Sequence, residues 1–349
     1  MFNRVAIIGL GLIGGSIGLA LRNANSAQQV TGYDLGKGVT DRARKIGAID
    51  QPYDALTDAV RGAELIILAT PVGAMRSLLQ NIATVASPGS VVTDVASTKT
   101  QVINWAEEYL PAPVLFVGGH PMAGKELSGV DSASATLFQN RVYCLTPTKR
   151  TSPVAIDKVA RLVEILGARV RFLEPAEHDG QVASVSHLPF VASVVLMNTV
   201  ADGAAWGDAA ILAATGFRDM TRLAGGSPEV YRDICLTNSE SIARWLNEYI
   251  RELGVIRDQI ASHDGNLLQT FTRAQQLREQ WQISNDIDRY KPSASSNGDG
   301  GDGVPAVALS VTRCRCQVPL CVAVSALPLY QPGEEYRAHL PGRLHLAAG

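Results

Sequence analysis

In the stretch VGGHPMAGKE, residues 117–126, a histidine stands between a short apolar run and a proline. Imidazole changes charge near neutral pH, so His120 suits proton transfer, although the same setting fits a packed core histidine or a metal ligand. Metal ligation lacks partners: no His, Cys or acid stands at zinc spacing from His120, and CRCQVPLC (Cys314, Cys316, Cys321) has no matching CxxC pair. No metal is expected. Ser97 follows another apolar run, SVVTDVA. Its hydroxyl would hold one imidazole nitrogen and leave the other to accept a proton, or would cap the helical pattern TKTQVINWAEEY. Near the N-terminus, RVAIIGLGLIGGSIG sets Gly9, Gly11, Leu12, Ile13 and Gly14 in a GxGxxG pattern after a strand and at the start of a helix. Such glycines give a tight turn, a close approach for a pyrophosphate, and tight helix–strand packing. Asp34 ends the next strand, where a carboxylate accepts ribose hydroxyls and repels a 2′-phosphate. NAD is therefore expected over NADP, with Lys37 softening the preference. Thr70 and Pro71, in ILATPV, border the same crevice or form an ordinary turn.

The elements that must position these groups follow from the patterning. Short apolar runs (RVAIIG, VTGYD, ELIILAT, SVVTDV, VLFVGG, RVYCLTP, RVRFLE) alternate with amphipathic stretches up to residue 174. That texture predicts an α/β Rossmann-type, doubly wound parallel sheet covered by helices on both faces. His120 and Ser97 then stand at carboxyl ends of strands, where open sheets bind ligands. From residue 175 to 282 the pattern turns helical, and its apolar faces exceed what so small a domain buries alone. An all-α domain forming a homodimer is expected. Residues 283–349, opening on SNDIDRYKPSASSNGDGGDGVP after Ile283, read as a low-complexity, disordered tail.

Composition narrows the class. The 349 residues carry 31 basic and 33 acidic side chains, which gives no nucleic-acid footprint. Five cysteines, an odd number, fit a reducing cytoplasm. The run RVAIIGLGLIGGSIGLALR has ordered glycines and no cleavage site following it, unlike a signal peptide. LPFVASVVLMNTVA is short for a membrane span, which needs about 20 apolar residues, so no membrane partner is expected.

GLGLIGGS, DVASTK, GGHPMAGKE, SHLPF and GFRDMTRLA, in that order, resemble the prephenate and arogenate dehydrogenases of tyrosine biosynthesis over residues 1 to about 282. The resemblance implies NAD-dependent oxidative decarboxylation of prephenate or arogenate. It makes His120 the catalytic histidine on the ring hydroxyl and Ser97 a bridge between that histidine and the nicotinamide. Glu126 matches an acid near the site mouth, Arg222 the arginine that pairs with a substrate carboxylate, and His187 a substrate-site position. Arg218 ranks below Arg222. Two positions depart from the pattern: Phe190 stands where some members have a second histidine, and Tyr231 where tryptophan is common. The rival readings are a dehydrogenase of the β-hydroxyacid or pyrroline-carboxylate type, and a non-catalytic NAD-sensing module.

Overall fold

The computed structural model describes residues 1–124 and 127–290, with side chains as far as residue 284. Met1–Thr270 forms one compact unit and the chain from Phe271 onward a second. The strands are β1 (Phe2–Ile8), β2 (Ala27–Tyr33), β3 (Gln51–Pro52), β4 (Leu65–Leu68), β5 (Val91–Asp94), β6 (Leu115–Pro121), β7 (Val142–Thr146) and β8 (Arg169–Phe172). The helices between them are α1 (Leu12–Asn23), α2 (Val39–Lys45), α3 (Leu56–Val60), α4 (Met75–Ala83), α5 (Thr100–Tyr109) and α6 (Pro153–Ile165). Beyond the sheet follow α7 (Pro175–Val182), α8 (Leu188–Ala201), α9 (Trp206–Leu212), α10 (Thr215–Thr221), α11 (Pro228–Thr237), α12 (Ser239–Ala261) and α13 (Leu267–Tyr290).

The strands join in the order β3-β2-β1-β4-β5-β6-β7-β8. Alternate residues of a strand face opposite sides, so a sheet covered twice needs apolar residues at both parities. β1 shows this directly: Val5 and Ile7 enter one core with Ile17, Leu21 and Val30, while Ala6 and Ile8 enter the other with Ile66, Met75 and Leu79. The fold reading needs one correction. β1 to β6 pair in parallel with one another, but β7 runs antiparallel to β6, with His120 opposite Cys144. A parallel pairing needs a crossover, normally a helix. In the described part of the β6–β7 connection only a 3-10 turn, Val130–Ser132, has formed.

In the helical part, α7, a π turn at Ala183–His187 and α8 form one continuous helix, Pro175–Ala201. Its 27 residues are long and apolar enough to cross a membrane by length and composition alone, whereas the apolar stretch 188–201 makes up only its second half. Its first half carries buried polar residues, of which His178 and Asp179 bond the sheet domain and His187 bonds Asn238 in the helical part. The buried core of this part is small, with Ala183, Phe190, Ile234 and Ile242 at its centre, while Val185, Val195, Leu236, Ile250 and Ile260 are exposed. α13 runs through Gln282 to Tyr290. The expected tail beyond residue 290, with its three cysteines, lies outside the described residues.

Candidate active site

The glycine loop is shaped for a phosphate. Gly9 has φ +93°, and a Cβ there would stand 2.6 Å from the Ala69 carbonyl oxygen. Gly14 lies so close to the loop that its Cβ would fall 1.9 Å from the Gly9 carbonyl oxygen. At Gly11, by contrast, a Cβ would have no neighbour within 4 Å. Gly11 is also the N-cap of α1, whose first turn has no capping side chain and no acid. Free amides and the positive end of the helix therefore face a cradle that an anion fills. Leu12 and Ile13 open the helix, half-buried, and Thr70 borders the loop, its methyl 2.8 Å from the Gly9 Cβ position. Pro71 is exposed beside it. Asp34 is tied into the loop: Leu10 N–H donates to one carboxylate oxygen and Gly36 N–H to the other, each at 2.7 Å.

His120, 8 % exposed, closes β6. The strand end is pinned by a buried ion pair. Asp94, at the end of β5, accepts from Gly119 N–H (3.1 Å) and Ala96 N–H (2.9 Å) and pairs with the Lys99 ammonium. Lys99 donates in turn to the Gly119 carbonyl at 2.6 Å. Both side chains are wholly buried, and burial, offset in part by Asp94, lowers the Lys99 pKa. The ladder between β5 and β6 ends at Thr93 opposite Val117, so this pair extends the hold to the histidine.

Hydrogen bonds then fix the tautomer of His120. The main-chain N–H groups of Lys99 and Thr100, at the start of α5, donate to the two Asp179 oxygens at 2.7 and 2.8 Å. Burial pushes the Asp179 pKa up, but the bonds from His178, Thr100 and Lys99 together outweigh it and leave the pKa lowered. A carboxylate only accepts, so His178 Nδ1, 2.9 Å away, carries the proton. His178 Nε2 is then a lone pair, and it accepts from His120 Nδ1–H at 2.9 Å. His120 is left with a lone pair on Nε2. Burial first, then His178, Lys99 and His187, hold its pKa well below the ordinary histidine value. The arrangement is that of a neutral, oriented base.

This differs from the expected role of Ser97. The hydrogen bond on His120 runs to His178, and among the described residues Ser97 has no side-chain bond. Nor is Ser97 the helix cap: α5 starts at Thr100, and Asp179 takes the cap's place from another element. His178 and Asp179 were missed because they lie 58 and 59 residues from His120, in PAEHDG, a stretch that reads as the start of a helix. The adjacent acid and histidine there were the available signal.

His187 lies at the end of the π turn, 1 % exposed. Its ring meets Phe190 at 5.9 Å between centroids, and Phe190 stacks on Tyr231 at 4.1 Å and 3°. The two positions that depart from the family pattern thus form one contact. Tyr231 donates its hydroxyl to the Leu223 carbonyl at 2.8 Å, beside exposed Arg222. Asp219 pairs with Arg218. Glu126 lies outside the described residues. Gly73 N–H, in the turn after Pro71, donates to Asp233 of α11 at 3.2 Å, which ties the cofactor-side turn to the helical part.

A Rossmann-type sheet with an open phosphate cradle, and a desolvated histidine at a neighbouring strand end, point to a nucleotide-binding protein of the dehydrogenase class. Residues 17–172 match the family model described as prephenate dehydrogenase, nucleotide-binding domain, and residues 174–274 match prephenate dehydrogenase, dimerization domain. The chain belongs to the prephenate dehydrogenase family. It is 36% identical over 282 residues to the prephenate dehydrogenase of Bacillus subtilis, covering 80% of this chain and 76% of the relative. The fold is similar to that of the A. aeolicus prephenate dehydrogenase in complex with hydroxyphenyl propionate and NAD+ (TM-score 0.76, 28% identity, covering 80% of this chain and 98% of that one). It is also similar to Synechocystis arogenate dehydrogenase (TM-score 0.68, 31% identity, covering 80% of this chain and 99% of that one).

Proposed function

We propose that the protein oxidatively decarboxylates prephenate to 4-hydroxyphenylpyruvate, or arogenate to tyrosine, using NAD, and that His120 is the base. The observation that carries this reading is the chain of hydrogen bonds from Asp179 through His178, which leaves the lone pair of His120 on Nε2. The names of the relatives supply the substrate class. The chemistry that bound NAD would supply is acceptance of a hydride from the ring carbon that bears the hydroxyl. His120 Nε2 takes the hydroxyl proton, the ring carboxylate leaves as carbon dioxide, and its bonding electrons complete an aromatic ring. The proton then returns from the imidazolium to the phenolate oxygen. Gly9, Gly11 and Gly14, with Leu12 and Ile13, cradle the pyrophosphate; Asp34 reads the ribose, and Thr70 and Pro71 line the crevice. Ser97 is the proposed link between His120 and the nicotinamide, with the imidazole Nδ1 already taken by His178. Arg222 pairs with a substrate carboxylate, while His187, Glu126 and Tyr231 complete the substrate side.

The protein has a nucleotide-binding part over residues 1–174 and a helical part from residue 175 that forms a homodimer, with α13 carrying the helical part past residue 282 to Tyr290. It works in the cytoplasm on a small molecule, without metal, nucleic acid or membrane. The match to a dimerization domain and the exposed apolar residues of the helical part support the dimer. Steady-state rates with prephenate and arogenate, each with NAD and NADP, test the assignment. Turnover of either substrate with NAD is the expected result, and no turnover of both would overturn it.

A further inference from the structure

Asn238 stands between α11 and α12, at the N-cap position of a 23-residue helix, where an asparagine normally bonds the free amides of the first turn. Here its side chain makes no cap bond. It turns inward, 6 % exposed, and its Nδ2 lies 2.8 Å from the Asp179 carbonyl oxygen and 3.3 Å from His187 Nδ1. The Asp179 carbonyl only accepts, so the atom facing it is the amide nitrogen, which fixes the orientation of the group. Its second hydrogen points at His187, whose Nδ1 must then be the acceptor. The proton of a neutral His187 is left on Nε2, which is buried and has no partner among the described residues. Burial, against the pull of Asp179, holds the His187 pKa down to about 4, so the ring is neutral at physiological pH.

We infer that Asn238 is a positioning residue that locks His187 as an Nε2–H donor, and that this donor meets an acceptor oxygen of the substrate, a carboxylate or carbonyl. Asp179 thereby sets two histidines in opposite senses. Its carboxylate, through His178, makes His120 Nε2 an acceptor; its carbonyl, through Asn238, makes His187 Nε2 a donor. The pair suits a substrate that presents a hydroxyl at one end and an oxygen acceptor elsewhere. An unmatched buried donor of this kind is costly unless a ligand answers it. The substrate part of this inference rests on the function proposed above, whereas the tautomer does not.

Side-chain nitrogen NMR of the whole protein separates the two parts, with the His187 signals assigned by their loss in His187→Gln. The free wild-type protein should show His187 protonated on Nε2; protonation on Nδ1 would overturn the inference whatever the variants do. Asn238→Leu removes the donor and should scramble the tautomer. It should raise KM for the turned-over substrate about 10-fold or more, with kcat changed only a few-fold. Asn238→Asp, close in shape, offers Nδ1 an acceptor and should move the proton there, with His187 now titrating above about 4. Variants that lose thermal stability but keep the Nε2–H signal and the wild-type KM would make Asn238 merely structural and sink the idea. If neither prephenate nor arogenate is turned over, the proposed function fails while the NMR result still decides the tautomer.

Discussion

At the scale of residues, burial keeps the proposed base neutral. His120 and His187 are both buried with pKa values held down, the second to about 4. The acid limb of kcat/KM should therefore fall below the usual histidine value of about 6.5. A limb at or above that value would show a solvated, ordinary imidazole. The same groups couple to folding. Below about pH 6.5 the unfolded chain takes up protons on these histidines, while the folded chain does not until lower pH, so folding stability declines as pH falls through that window. Thermal midpoints between pH 8 and 5 should follow this slope, and a midpoint independent of pH would contradict the burial. His120 was legible in the sequence because it follows a strand-like run. Its partners were not. Adjacent His178 and Asp179 look like an unremarkable helix start, and Asn238 looks like a helix cap; only the packing of three elements shows what they hold.

At the scale of elements, the spacing of glycines carried most of the information, and two of them make opposite predictions. Gly11→Ala adds a methyl into open space, so the variant should fold with wild-type stability and bind NAD about 10-fold more weakly or worse as the phosphate approach is blocked. Gly14→Ala places a methyl against the Gly9 carbonyl and should lower the melting temperature as well as NAD affinity. Calorimetry and NAD titration of the pair test this, and equal stability losses would mean the loop is shaped otherwise. Lys99 makes a third case. Lys99→Met strands a buried Asp94 carboxylate and should cost about 3–5 kcal/mol in denaturant unfolding; a loss under 1 kcal/mol would show that Asp94 is solvated. Apolar runs foretold the strands but not their direction. β7 has the same texture as its neighbours, and its reversal goes with a connection in which, among the described residues, only a 3-10 turn forms. Lys99 escaped for a related reason, since a lysine after a strand reads as solvent-facing until its buried partner is known.

At the scale of the whole molecule, a sheet domain supplies the cofactor cradle and His120, the proposed base, while a helical part supplies Asp179, His187 and Asn238 around it. The proposed catalytic geometry therefore depends on both parts staying in register, through contacts such as Gly73 with Asp233 and Thr98 with Thr237 (2.9 Å). Apolar side chains left exposed on the helical part lead us to expect a dimer at micromolar concentration by light scattering, and a monomer there would count against the proposed interface. The central claim is narrower: the His120 Nε2 lone pair accepts the proton that lets the ring become aromatic. Its most direct measurement is the turnover of His120→Asn with saturating substrate and NAD. An amide cannot accept that proton, so kcat should fall about 10²- to 10⁴-fold with NAD affinity unchanged, whereas a kcat within a few-fold of wild type would contradict the account.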